Sequence, residues 1–356
     1  MSGHVQPATS SWTCLLPRFI PAPQSFLTTK RPYRLPTNNN VKGVVGIKSG
    51  NFVHKLNFFP NLIHGIDGMD RFAVRSINIK RSETGRKYYH DVGPKKCGPV
   101  NLLAVLGMVF ALGLLMESIV VEDGMAVIAT VCLAVTSSVI GLASRWEVDL
   151  QKRLVKREVP PGDVVVIGRQ GAFVIVRCDE NISRELYFGT ERCKYLVPAK
   201  WFQILDATGT FLFMTSVVFV ANCTWALQAS IGLIYIVLNG LYWAASLIPD
   251  KLHWDISGYA VEIEENSLYN TFTSALIEAI RQTDATRWVK QGKVMPDTNA
   301  WDRWLEEAKD GVHNKNWDGE EALTRIMNEE KEKMKEVEAQ AAQRKTARVL
   351  TTVQEL

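Results

Sequence analysis

The chain has 356 residues, 47% of them hydrophobic, and a formal net charge of +4. So mild a charge, gathered beside long apolar runs, excludes the basic footprint of a nucleic-acid-binding protein and fits topology and anionic lipid instead. Six cysteines (14, 97, 132, 178, 193, 223) without a CxxC spacing argue against a zinc site or a disulfide framework.

The first elements are the least regular. No acidic residue precedes Asp67, whereas Arg18, Lys30, Arg31, Arg34, Lys42, Lys48 and Lys55 do. Such acid-poor, Ser-rich composition is that of a mitochondrial transit peptide, but Pro7, Pro17, Pro21, Pro23, Pro32 and Pro36 break the amphipathic helix it needs. Residues 1–40 are therefore expected to be a disordered basic tail. Residues 41–98 read as a mixed cytosolic, juxtamembrane segment. The short apolar runs 41–47 and 72–79 suit strands or stretches lying along the membrane.

Two transmembrane hairpins follow. Residues 99–144 divide into spans at about 99–121 and 124–144, separated by the acidic stretch around Glu117, Glu122 and Asp123. Residues 207–249 carry no Asp, Glu, Lys, Arg or His, about twice the roughly 20 residues one spanning helix needs. Spans at about 204–223 and 227–248 accommodate them in a second hairpin, 204–248. Lys95, Lys96, Arg145, Lys152, Arg192, Lys194, Lys200 and Lys251 all flank the same ends of these spans, while the two opposite connections have no Lys or Arg. The positive-inside rule then puts both termini in the cytosol, or in the matrix if the membrane is mitochondrial. Plasma membrane or endomembrane is the expectation, with the mitochondrial inner membrane as the alternative. Trp146, Trp201, Trp225 and Trp254 fall near span ends, as an aromatic belt requires.

Between the hairpins, 145–203 reads as a small cytosolic β domain. Residues 147–156 suit a helix continuing the second span, and Pro160-Pro161-Gly162 ends it. The β-branched runs 164–167 and 172–178, joined by Gly168-Arg169-Gln170-Gly171, predict a hairpin, and 185–188 and 194–197 suit two further strands. The stretch from Gly162-Asp163 through Gly171, with Pro198 after the last strand, resembles the membrane-proximal β domain of small mechanosensitive channels. That resemblance implies a small β-barrel-like fold only. In that family the β domain follows the pore helix, whereas two more spans follow it here.

The C-terminal part divides at 320. Residues 249–319 read as α-rich, with a short strand at 258–264, a helix capped by Asn266 or Ser267, and Trp288, Trp301, Trp304 and Trp317 filling a small core. Residues 320–356 form a charged helix with a thin apolar stripe (Leu323, Ile326, Met334, Val337, Ala341) that suits a solvated helix or a weak coiled coil.

The fold expected is thus membrane α-helical: four transmembrane helices in two hairpins, a small β-rich domain inserted between them, and a mainly helical C-terminal segment. Within the spans, Ala126, Thr130, Ala134 and Ser138 recur every four residues, with Ser137 and Gly141 beside them. Gly107/Ala111 and Gly240/Ala244 repeat the small-xxx-small spacing that lets helix backbones approach. Glu117 and Asn239 are the polar intramembrane candidates, Asn239 as an interhelical hydrogen-bond donor. Cys97, beside Lys95 and Lys96, is a candidate for lipidation. The six His do not cluster, and no GxSxG, GxGxxG or phosphate-loop motif occurs. No catalytic residue, metal or cofactor is therefore expected. The expected partners are the bilayer and a protein bound through the cytosolic segments, with oligomeric state open. The expected role is a non-enzymatic scaffold, tether or accessory subunit; the alternative is a small transporter or channel subunit with a cytosolic β domain.

Overall fold

The computed structural model of the chain describes residues 11–19, 31–82, 92–152, 159–314 and 316–354, with side chains described as far as residue 340.

In chain order the elements are β1 (Val41–Gly46), β2 (Phe52–Val53), α1 (Phe58–His64), β3 (Ala73–Arg81), β4 (Gly93–Pro94), α2 (Pro99–Val120), α3 (Gly124–Ser144), β5 (Trp146–Asp149), β6 (Val164–Gly168) and β7 (Phe173–Arg177). Then come α4 (Glu180–Ile182), which runs on as a π-helix over Ser183–Phe188, β8 (Arg192–Tyr195), α5 (Ala199–Ala221), α6 (Trp225–Ser246), β9 (Trp254–Asp255), β10 (Tyr259–Leu268), α7 (Phe272–Thr283), α8 (Arg287–Gln291), α9 (Asn299–Gly311) and α10 (Gly319–Gln354).

Four helices, α2, α3, α5 and α6, are long and apolar enough to cross a membrane. Their ends follow local chemistry. Pro99 opens α2, where a missing N–H costs nothing. Asp123 caps α3 by accepting from the Met125 and Ala126 amides, and its other oxygen accepts from Thr224 N–H at 2.7 Å in the second hairpin's turn. One carboxylate thus joins the two tips, and the Thr224 amide is the chief cause that holds Asp123 below its ordinary pKa. The helices of the second hairpin lean apart: α5 packs along α3 and α6 along α2. At Gly209 of α5, a Cβ would lie 2.6 Å from the Ile140 Cγ1 of α3, so the Ile140 side chain packs directly onto the α5 backbone in space that a larger residue would take.

The domain is a six-stranded sheet in the order β10-β3-β7-β6-β1-β2, antiparallel except for the parallel pair β3–β7. Side chains alternate between its faces with the period of two that pleating dictates. Val164, Val166, Val174 and Val176 point to one core with Leu56, Phe59, Trp146, Tyr187 and Trp254. Val165, Ile167, Phe173 and Ile175 point to the other, beneath Trp288, Trp304 and the helices α7–α10. The continuous Val/Ile runs that looked like a free hairpin are those of central strands buried on both faces.

Several expectations are corrected. The middle segment does not close into its own β domain: β6 and β7 form the predicted hairpin, but their outer neighbours are β1 and β3 from 41–98. The mixed segment 41–98 is thus an integral part of the sheet, as is β10. The helix expected from 147 begins as strand β5, paired with β8, and the strand expected at 185–188 is helical. The C-terminal helix starts at Phe272 under Thr271, not at Asn266 or Ser267, because β10 runs on to Leu268 along β3. Trp146 and Trp254 are core residues 5.9 Å apart rather than belt residues, whereas Trp201 and Trp225 are exposed near span ends. Of the stripe in α10, Ile326 is buried and Leu323 half-buried against the core that α9 joins, while Met334 and Val337 are exposed; a coiled coil is not shown among the described residues.

Candidate functional site

The segment expected to be a disordered tail enters the membrane bundle. Residues 12–15 make a 3-10 turn capped by Ser11, and the chain continues extended to Phe19. Thr13 Oγ1 donates to Asn101 Oδ1 at 2.6 Å, Ser137 Oγ donates to the Arg18 carbonyl at 2.6 Å, and Phe19 N–H donates to the Gly107 carbonyl at 3.2 Å. A Cβ at Gly141 would lie 1.8 Å from the Cys14 carbonyl oxygen, so only glycine lets the segment lie against α3 there. Phe19 fills the space between the splayed helices, among Ala111, Leu114, Leu133, Ile231 and Leu238.

Arg18 comes in with it. Gly107 and Ser137 lie about two helical turns, roughly 11 Å, from the ends of α2 and α3 that join the domain. At that depth Arg18 is 1% exposed, and its Nε and Nη1 have no hydrogen-bond partner among the described residues. Thr130 Oγ1 and the Tyr242 hydroxyl, also in the bundle, are likewise buried without a partner, and Tyr242 is within electrostatic reach of the guanidinium. An arginine within a bilayer costs on the order of 3 kcal/mol unless something meets it. Chemically, this is a cation with free donors in an apolar setting, suited to the planar, two-oxygen face of a carboxylate or phosphate.

The predicted site residues distribute unevenly around it. Gly107, Ala111, Ala126 and Thr130 are buried, and Ala134 and Ser138 are half-buried. The inserted segment, not another span, meets Gly107 and the Ser137/Gly141 pair. Gly240 and Ala244, read as a helix contact, are exposed, and nothing lies within 4 Å of a Cβ at Gly240. Asn239 does not reach another helix: its Nδ2 donates to Tyr235 O of its own turn at 2.8 Å. Glu117 is exposed and accepts from Ser230 Oγ at 3.1 Å. Cys97 is exposed two residues before α2. Arg18 was missed because a search for charges within spans never inspects a basic residue that lies far from them in sequence. The prolines around it did signal an extended segment able to lie in a groove.

The domain handles its buried polar groups differently. Glu185 is met by Arg81 at 2.5 Å and by the Tyr259 hydroxyl at 3.0 Å. Glu191 accepts the Phe58 and Phe59 amides at the start of α1, which favours its charge, while burial dominates and pushes it up to about 8. His64 lies 2.6 Å from the Tyr187 hydroxyl, and burial, aided by the nearby Arg75 and Lys251 charges, lowers it to about 3. These are tertiary ties within a core. Among the described residues no group of three or more His, Cys, Asp or Glu could hold a metal ion. Comparison of the chain with protein-family models, curated proteins and solved structures finds no match.

Proposed function

We propose that this is a multi-pass membrane protein whose helical bundle anchors an α/β domain on the cytosolic face as a non-enzymatic platform: a scaffold, tether or accessory subunit. The observation that carries the reading is the composite sheet. Its strands come from before the first hairpin, between the hairpins and after the second. Such a domain cannot drift from the bundle on a linker, which is the property a fixed docking surface needs. The orientation rests on the Lys and Arg flanking the domain-side span ends. The exposed Met334 and Val337 on α10 offer apolar contacts to a protein partner. Cys97 beside Lys95 and Lys96 suits a lipid anchor at the same face.

The test is site-specific crosslinking from Met334 and Val337 in native membranes. A discrete, saturable adduct from position 334 that is lost on Val337→Glu supports a platform, and no adduct above background from either position counts against it.

A second reading, a transporter or channel subunit, is favoured by Arg18 alone, since a buried guanidinium is what an anion path would use. Reconstituted liposomes separate the two: anion flux abolished by Arg18→Gln would replace the platform with the transporter.

A further inference from the structure

At the end of the sheet away from the spans lies an open groove of about 740 Å³, within the range of small-molecule sites. Its place follows from topology. β3 leads towards α2 from Arg81, β6 begins at Val164 after α3, and β10 begins at Tyr259 after α6. The groove is formed at the other ends of the same strands, by Arg71 and Phe72 before β3, by the β6–β7 turn 168–171, and by Phe272 after β10. The nine residues of β3 alone span roughly 30 Å.

Three cations, Lys42, Arg71 and Arg169, line it, and none of the ten lining residues is acidic. No ion pair involves any of the three among the described residues. Among the described residues Lys42 Nζ has only a long contact, 3.5 Å, to the Val294 carbonyl, and the Arg71 guanidinium lies 4.6 Å from the Phe72 ring centre. Ile167 and Val294 make an apolar floor, and Phe72 and Phe272 stand edge to face 6.4 Å apart. The wall is held in an unfavourable conformation: Phe72 has φ +61°, where a bulky residue is an outlier. Opposite it, a Cβ at Gly171 would come within 3.0 Å of both rings. Uncompensated positive charge, aromatic faces and concavity thus converge on one place.

We propose that this groove binds an organic phosphate with a planar ring, of the nucleoside phosphate type, with Lys42 and Arg169 on the phosphates and the ring against Phe272. The strands hold the groove far from the bilayer, so the ligand is soluble rather than a headgroup of the same membrane. This goes beyond the platform reading and does not depend on it.

The experiment is titration of the full-length protein in detergent with ATP, pyrophosphate and adenosine. Saturable ATP binding is expected, with pyrophosphate weaker and adenosine weakest. The double variant Lys42→Glu/Arg169→Glu should lose at least tenfold in ATP affinity while its unliganded melting temperature stays unchanged, both side chains being exposed. Phe272→Leu should weaken ATP but not pyrophosphate. No saturable binding at millimolar ATP, equal affinity for adenosine, or ATP affinity unchanged in the double variant would each overturn the proposal. Tighter binding of anionic vesicles than of ATP would do so too.

Discussion

In the α/β domain, Glu185 is buried and met by the Arg81 guanidinium and the Tyr259 hydroxyl. In the bundle, Arg18 is just as buried, yet two of its donors meet no partner among the described residues. The domain therefore treats charge as a structural tie, whereas the bundle leaves two donors of its guanidinium unmet among the described residues. A buried pair costs most when one partner is removed, whereas an unpartnered buried charge costs while it stays. The two regions should consequently answer the same kind of substitution with opposite signs.

The largest effect tests the domain's core. Phe173 is fully buried, with Phe272 and Trp288 rings 5.9 and 5.8 Å away. Phe173→Ala should cost about 3–5 kcal/mol, read by denaturant unfolding, and should leave the bundle's helical signal in place. If the bundle melts with the domain, the two regions are one cooperative unit and the contrast between them fails.

Next come the charged groups. Arg81→Met leaves Glu185 buried with only Tyr259, and since Arg81 is itself partly exposed, a loss of about 2 kcal/mol is expected. Arg18→Met should do the reverse, leaving stability in detergent unchanged or raising it by about 1 kcal/mol. A clear loss on Arg18→Met would mean that the guanidinium is met by a bound anion.

Two titrating groups in the domain sharpen the picture further. His64, lowered from 6.5 to about 3, binds fewer protons folded than unfolded in that window, so it makes stability rise with pH from 3 to 6.5. Glu191, raised from 4.5 to about 8, binds more protons folded, so it makes stability fall with pH from 4.5 to 8. Between 4.5 and 6.5 the two slopes oppose each other and the melting temperature should be nearly flat. Glu191→Gln should reveal the rising limb and His64→Gln the falling one, each by up to about 1.4 kcal/mol per pH unit.

The smallest change in free energy, with a clear signal nonetheless, is expected from Gly141→Leu. The added side chain collides with the Cys14 carbonyl and should displace the inserted segment. Cys14, fully buried, should then react with a membrane-permeant thiol reagent. Unchanged protection would mean that the segment does not depend on its groove in α3.

The parts differ in how far the sequence discloses them. The four spans, the short connections that join them in pairs, and the β6–β7 hairpin were legible because each rests on short-range chemistry: apolar length, an acidic or uncharged turn, a Gly-flanked turn. The sheet order was not, since β3 meets β7 and β10 only after two hairpins have brought them together. Nor was the fate of the small residues. The spacing of Ser137 and Gly141 marked a close approach, but what approaches is residues 14–18 of the same chain rather than a helix. Gly209, where Ile140 of α3 packs onto α5, stands alone in sequence and offered no pattern.

By itself, then, the sequence determined which four segments are apolar enough to cross a bilayer, because the free energy of moving apolar and charged side chains between water and hydrocarbon is a property of composition summed along the chain. Only the tertiary structure decided who meets whom. Residues such as Arg18 and Ser137, or Val74 and Phe173, are distant in sequence, and their pairing depends on shape and hydrogen bonding that no local window contains. For this protein that division separates its four apolar spans, which were readable, from its buried arginine and its basic groove, which were not.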